Sequence, residues 1–206
     1  MSYTFDRKRW NKPVKQPRTH QPERFKWTDP YDQKEYMAGG ILLFDAVGFW
    51  CVREAKGLSD MGGRYHFEDN NIFGCIAKEL REESFGTLEV LASQIESIVM
   101  KTRMSVSDIH PGSSRVVDLP HYFCLFCNIC EYDLGLKFDP ELFLVKRQET
   151  ISQNKSVDPV HYTSLELVYV KFADIDTTTW TANGHLIGDR LKRLLLVSKI
   201  VPQTSS

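Results

Sequence analysis

The chain of 206 residues predicts an α/β fold, a mixed sheet layered between helices as an α/β/α sandwich. Three observations lead there. The stretch Ala38-Gly39-Gly40-Ile41-Leu42-Leu43-Phe44-Asp45 is a short, nearly continuous apolar run of the buried-strand type. Segments 72–85, 88–100 and 185–197 carry apolar side chains at helical spacing. Between residues 37 and 200 the elements alternate strand, strand, helix, helix, strand, strand, helix, which suits one domain with a true core.

In chain order, residues 1–36 form a leader of different composition. It holds nine Lys/Arg against five Asp/Glu, with Pro13, Pro17, Pro22 and Pro30 among them and aromatic residues interleaved. Wrapping over the domain or partial disorder is one reading. A role in binding single-stranded nucleic acid is the other. Met37 to Lys56 reads as a strand pair turned at Ala46-Val47-Gly48. Leu88 to Met100 is a helix, and 101–120 reads as polar loop around Pro111-Gly112. His121 to Cys130 is a central strand. Its Cys124-x2-Cys127-x2-Cys130 spacing sends successive cysteines to opposite faces, so core packing accounts for them better than a metal does. A short helix or turn over 141–146 precedes a polar loop over 148–160. Tyr162 to Phe172 alternates as a strand, and His185 to Val197 is a closing helix with Asp189, Arg190, Lys192 and Arg193 facing water or a partner. The tail, 201–206, reads as disordered.

Composition excludes some classes. A net charge of -1 points to neither a nucleic-acid nor a membrane partner for the chain as a whole. No apolar run approaches the roughly 20 residues that span a bilayer. The charged N-terminus is not a secretory signal, and five cysteines without framework spacing suit reduced thiols in the cytoplasm.

The chemistry concentrates at Gly62 to Gly86. Glu79, Glu82 and Glu83 stand at i, i+3 and i+4 and share a helical face, with Ile72, Phe73, Ile76 and Leu80 on the neighbouring stripe. Like charges so spaced repel, and a hard divalent cation would relieve them. A solvated acidic face softened by Lys78 and Arg81 is the plainer alternative. The segment resembles the signature of the Nudix hydrolase family, Gly-x5-Glu-x7-Arg-Glu-U-x-Glu-Glu-x-Gly-U, best over Lys78-Glu79-Leu80-Arg81-Glu82-Glu83. Lys78 stands where the family has Arg. The motif's first glutamate falls on Asn70 unless the loop carries one extra residue, and Phe85 takes the glycine position.

The resemblance implies a Nudix-type sandwich over 37–200 and a metal-dependent hydrolase cleaving a diphosphate linkage. It implies Mg²⁺ or Mn²⁺ held by Glu79, Glu82 and Glu83, which are also the catalytic set, with the Gly62 carbonyl and a late carboxylate completing the shell. Glu166 is the candidate for that carboxylate, and Glu149 a second. Lys78 would pair with Glu68 or Asp69 and hold the loop on the helix. Arg53, Arg64 and Tyr122 are candidates for holding substrate, a nucleoside diphosphate-linked small molecule or an RNA 5′ end. A binding module of the same fold without turnover is the alternative, and an unrelated α/β protein with a chance acidic helix remains open.

Overall fold

The computed structural model describes residues 25–104, 112–153 and 164–200, so the expectations for the leader before residue 25 and for the tail fall outside the described residues. A two-stranded ribbon, β1 (Trp27–Thr28) and β2 (Glu35–Tyr36), precedes a seven-stranded sheet. The sheet contains β3 (Ala38–Phe44), β4 (Gly48–Glu54), β5 (Gly57–Ser59), β6 (Met61–Arg64), β7 (Arg115–Leu119), β8 (Tyr122–Asn128) and β9 (Glu166–Lys171). Its strands are mixed: β3 runs parallel to β8, and the remaining pairings are antiparallel.

One edge of β3 is divided between two partners. Ala38 to Ile41 pair with β6, whereas Leu43 and Phe44 pair with β4. The sheet therefore parts beyond that point, with β5 following β4 and β6 following β3. Asp60 is the one residue between β5 and β6, so it sits where the two branches separate.

Helices cover both faces: α1 (Ile72–Glu83), α2 (Ala92–Met104), α3 (Pro140–Gln153) and α4 (Asp189–Ser198). Ile41, Leu43, Phe123, Leu125 and Cys127 point to one core with residues of α1 and α2 and with Phe143 of α3. Leu42, Phe44, Tyr122, Cys124 and Phe126 point to the other, which α4 closes with Leu191, Leu194 and Leu195. The period-2 alternation of β3 and β8 builds both cores at once. Cys124 and Cys127 accordingly lie on opposite faces as buried free thiols, and Cys130 is exposed. Of the leader, Trp27 and Tyr36 are packed against Phe73 and Phe123, and the buried Asp29 is paired with Arg103 of α2. Among the described residues no helix is long and apolar enough to cross a membrane.

Several boundaries differ from the sequence expectation, among them α2, which begins at Ala92 rather than Leu88, and β9, which spans Glu166–Lys171. Within the supposed loop over 101–120, α2 continues to Met104 and Arg115–Leu119 forms β7. An edge strand pairs on one side only and tolerates polar side chains such as Asp118. Helix α3 extends through Gln153 into the supposed polar loop, since it buries only Phe143 and needs little apolar stripe. His185–Leu186 pair as a strand, β11, with β10 (Thr181–Ala182), and α4 begins only at Asp189 after the extended Gly188.

Gly40 lies in the centre of β3, where an added Cβ would stand 2.0 Å from the Tyr122 hydroxyl oxygen and 2.8 Å from Asp60 Oδ2. Gly40→Ala is expected to cost about 1–3 kcal/mol, the range for overpacking a tight core. Urea unfolding measures it, and an unchanged midpoint would contradict this packing.

Candidate functional site

Helix α1 is started by Asn71, whose side chain accepts a hydrogen bond from the Gly74 N–H at 2.8 Å. It ends at Ser84, beyond which Phe85 and Gly86 both have positive φ, 53° and 74°. Phe85 takes a left-handed position usually given to glycine, and its ring packs on Phe143 with 5.3 Å between centroids. The apolar stripe of α1 is buried under the sheet, which turns its acidic face toward β6.

The three glutamates then part company. Glu82 is exposed to solvent. Glu79 lies against Gly63, where an added Cβ would come within 2.2 Å of Glu79 Oε2. Glu83 reaches Gly62, whose backbone N–H donates to Glu83 Oε2 at 3.1 Å. Both glycines belong to a strand, and neither has positive φ. The double glycine serves close approach of backbone to carboxyl, not a turn.

The surroundings load these carboxyls. Burial raises the Glu83 carboxyl well above the usual carboxylate range; Asp60, Glu79 and Glu54 push it further, and Arg190 opposes them. Burial likewise raises Glu79; the Lys78 charge opposes the shift, and Glu82 adds to it. Lys78 Nζ lies 3.0 Å from Asp69 Oδ1 and 3.4 Å from Glu79 Oε1. It thus braces the loop on the helix through Asp69, one of the two acids the spacing allowed.

On the other side of Gly62 stands a group that the sequence placed facing water or a partner. Arg190, in the first turn of α4, donates through Nε to Asp60 Oδ1 at 2.7 Å. Its Nη2 donates to Ser59 Oγ at 3.1 Å, to the Asp60 carbonyl at 3.3 Å and to the Gly62 carbonyl at 3.0 Å. Asp60 is fully buried and accepts a second hydrogen bond from the Tyr122 hydroxyl. The Arg190 guanidinium lies over the Tyr122 ring, 4.8 Å from its centroid. Gly62 is therefore gripped from both faces of the sheet, through its N–H by α1 and through its carbonyl by α4.

Several sequence candidates have other partners in this arrangement. The Gly62 carbonyl, expected as a metal ligand, already accepts from Arg190. Tyr122, expected to hold substrate, is buried with its hydroxyl committed to Asp60 and its ring covered. Glu166 and Arg53 bind one another: Arg53 Nε donates to Glu166 Oε2 at 2.8 Å and Nη2 to Oε1 at 2.6 Å. They are cross-strand neighbours on β4 and β9, so a fork-to-carboxylate pair forms without any ligand. That hydrogen bond lowers the Glu166 carboxyl. Glu149 pairs with Lys146 on exposed α3. Arg64 is exposed at the end of β6.

Arg190 carried no sequence signal of its own, and Asp60 only a weak one. A lone acid in the apolar-flanked run Leu58-Ser59-Asp60-Met61 was the available hint, because a carboxylate there needs a buried cation.

No protein-family model matches the chain, and no curated protein matches it.

The donor set offered by α1 is all oxygen, which suits a hard divalent cation. Among the described residues no three or more acidic, histidine or cysteine side chains already converge on one point. The fit rests on Glu79 and Glu83, whose ionisation is opposed by burial and by neighbouring acid, a penalty that a cation would remove.

Two outcomes follow. A raised carboxyl binds its proton more tightly folded than unfolded, so stability falls as pH rises above the ordinary glutamate value and levels off once the folded carboxyl ionises. Without divalent metal, thermal melts should show this fall in the wild type and a smaller one in Glu83→Gln. Equal slopes would exclude the buried carboxylate. Arg190→Met leaves Asp60 buried without its cation and should cost about 3–5 kcal/mol in denaturant unfolding. A loss under 1 kcal/mol, the scale of an exposed pair, would contradict the pairing.

Proposed function

We propose that this chain is a metal-dependent hydrolase of Nudix type that cleaves a diphosphate linkage in a nucleoside diphosphate-linked substrate, a nucleotide or an RNA 5′ end. The observation that carries the reading is the turn of Glu79 and Glu83 onto the backbone of Gly62 and Gly63, away from bulk water. An acidic face that served only solubility would have no need of a double glycine to admit its carboxyls. The Lys78–Asp69 brace supports it further, since it tethers the loop between β6 and α1 to the acidic helix.

Glu79, Glu82 and Glu83 would hold Mg²⁺ or Mn²⁺. Such an ion, when bound, neutralises phosphate oxygens and makes water a stronger nucleophile. The chain's own groups supply the rest. Glu79, raised by burial against the opposing charge of Lys78, with Glu82 adding to the shift, is suited to take a proton from the attacking water. Glu83 fixes Gly62 through its N–H from the α1 side, and Arg190 fixes it through its carbonyl from the α4 side. Phosphoryl displacement needs placement and charge neutralisation above all, and both depend on that residue staying where it is. A reducing compartment such as the cytoplasm suits the five free thiols.

A second reading has one observation in its favour. Arg190 brings a fixed positive charge to the Gly62 carbonyl, the position the resemblance gives to a metal, so the site could bind phosphate without turning it over. Phosphate release with Mg²⁺ from a panel of nucleoside diphosphate-linked substrates and 5′-triphosphorylated RNA separates the two. The hydrolase reading expects turnover on at least one substrate and a loss of about a hundredfold or more in Glu83→Gln. Nucleotide binding without turnover, unchanged in Glu83→Gln, would establish the binding module instead.

A further inference from the structure

A cleft of about 550 Å³ opens on the α4 side of Gly62, and no sequence candidate except Gly62 lines it. Its wall includes Glu54, Lys56, Gly62, Trp180, Arg190 and Lys192. It therefore adjoins the acidic helix across a single residue, and Glu54 on its rim is one of the groups that raise Glu83. The volume suits a nucleotide-sized ligand.

The cleft combines two chemistries. One is cationic. Arg190 commits Nε and Nη2 to Asp60, Ser59 and Gly62, which leaves Nη1 with no hydrogen-bond partner among the described residues. The Arg190 side chain lines the cleft. Lys56 and Lys192 lie on the same wall. The other is aromatic. Trp180 is half-buried with φ at +54°, a conformation that is an outlier for so bulky a residue. Its carbonyl is held by the Ile187 N–H at 2.8 Å, and the Lys192 ammonium lies 4.9 Å from its ring centroid. Backbone held in such a region persists only where the surroundings enforce it, and such positions cluster at ligand sites.

From this juxtaposition we infer that the cleft is the nucleoside-binding part of the site, with Trp180 as the stacking platform for the base and Arg190 and Lys192 as the holders of the phosphates. This rests on the reading of the α1 face as the place of diphosphate chemistry, and it assigns the substrate an aromatic base. The Lys192 ammonium now covers the ring as a base would. A cation–π contact at an open site is weaker than base stacking, so an arriving base takes the ring and the ammonium turns to the phosphate. Specificity for a nucleoside diphosphate over inorganic pyrophosphate would come from Trp180 alone.

Calorimetric titration in EDTA, with the full chain, tests this apart from any turnover. ADP and a 5′-diphosphorylated RNA oligonucleotide are the probes, with pyrophosphate as the baseless control. Trp180→Leu is expected to weaken the binding of ADP or the RNA roughly tenfold or more, the effect of removing one stacking ring. Pyrophosphate binding should be unchanged, and Trp180→Phe should restore most of the loss. ADP binding would mark a free nucleotide as sufficient, whereas binding of the RNA alone would mark an RNA end as the source of the same group. Circular dichroism melts identify any variant that fails to fold, in which case Lys192→Gln, expected to weaken ADP, the RNA and pyrophosphate alike, carries the comparison. Wild-type affinity for ADP and the RNA in folded Trp180→Leu, or no binding of either probe by the wild type, would overturn the inference. Turnover plays no part in these outcomes, so a chain that binds but does not hydrolyse would sink the hydrolase reading and leave this one standing.

Discussion

The buried Asp60 carboxylate is the constraint on which the rest of the structure turns. It is fully shielded from water in the one-residue gap where the sheet divides, and an unpaired charge there would be costly. The chain meets that cost with Arg190 from α4 and the Tyr122 hydroxyl from β8, drawing together segments separated by 130 and 62 residues. Because the same guanidinium continues to the Gly62 carbonyl, the neutralisation of Asp60 also sets the position of β6. The N–H of the same residue then positions Glu83. One ion pair thus connects the closing helix to the acidic helix through the thickness of the sheet.

This explains why the glycines of β3 and β6 face each other. Gly39 pairs with Gly63 and Gly40 with Gly62, so four residues without side chains lie side by side. The vacated space is filled by a Tyr122 hydroxyl from one face and a Glu79 carboxyl from the other. Polar groups thereby enter a region whose flanks are core, and each finds a partner in the backbone or in another side chain. Their raised carboxyl pKa values follow from the same crowding.

Much of the scaffold was legible in the sequence. The strand pair over 37–56, the helix over the signature stretch and the opposed faces of Cys124 and Cys127 all follow from periodicity, a local property. The Lys78–Asp69 brace was legible because both partners flank one loop. What escaped was non-local. Arg190 reads as one of four polar residues on an amphipathic helix, and nothing in its neighbours marks it as the one that points inward. Arg53 and Glu166 look like free charges until β4 and β9 are laid side by side. Tyr122 sits in an aromatic run that suggests stacking, yet strand parity turns it under α4. Trp180 was missed because its importance lies in a backbone conformation and a cleft, neither of which a pattern of residue types records.

The central claim is that Glu79 and Glu83 are held partly desolvated against the Gly62–Gly63 backbone so that a divalent cation can relieve them. Calorimetric titration of Mn²⁺ at a series of pH values, in buffers of different ionisation enthalpy, tests it most directly. Ligand carboxyls with raised pKa values must give up protons on binding, so affinity should tighten as pH rises from the ordinary carboxylate range toward neutrality, with protons released to the buffer. Mn²⁺ binding that is absent throughout, or equal at every pH with no proton release, would contradict the account.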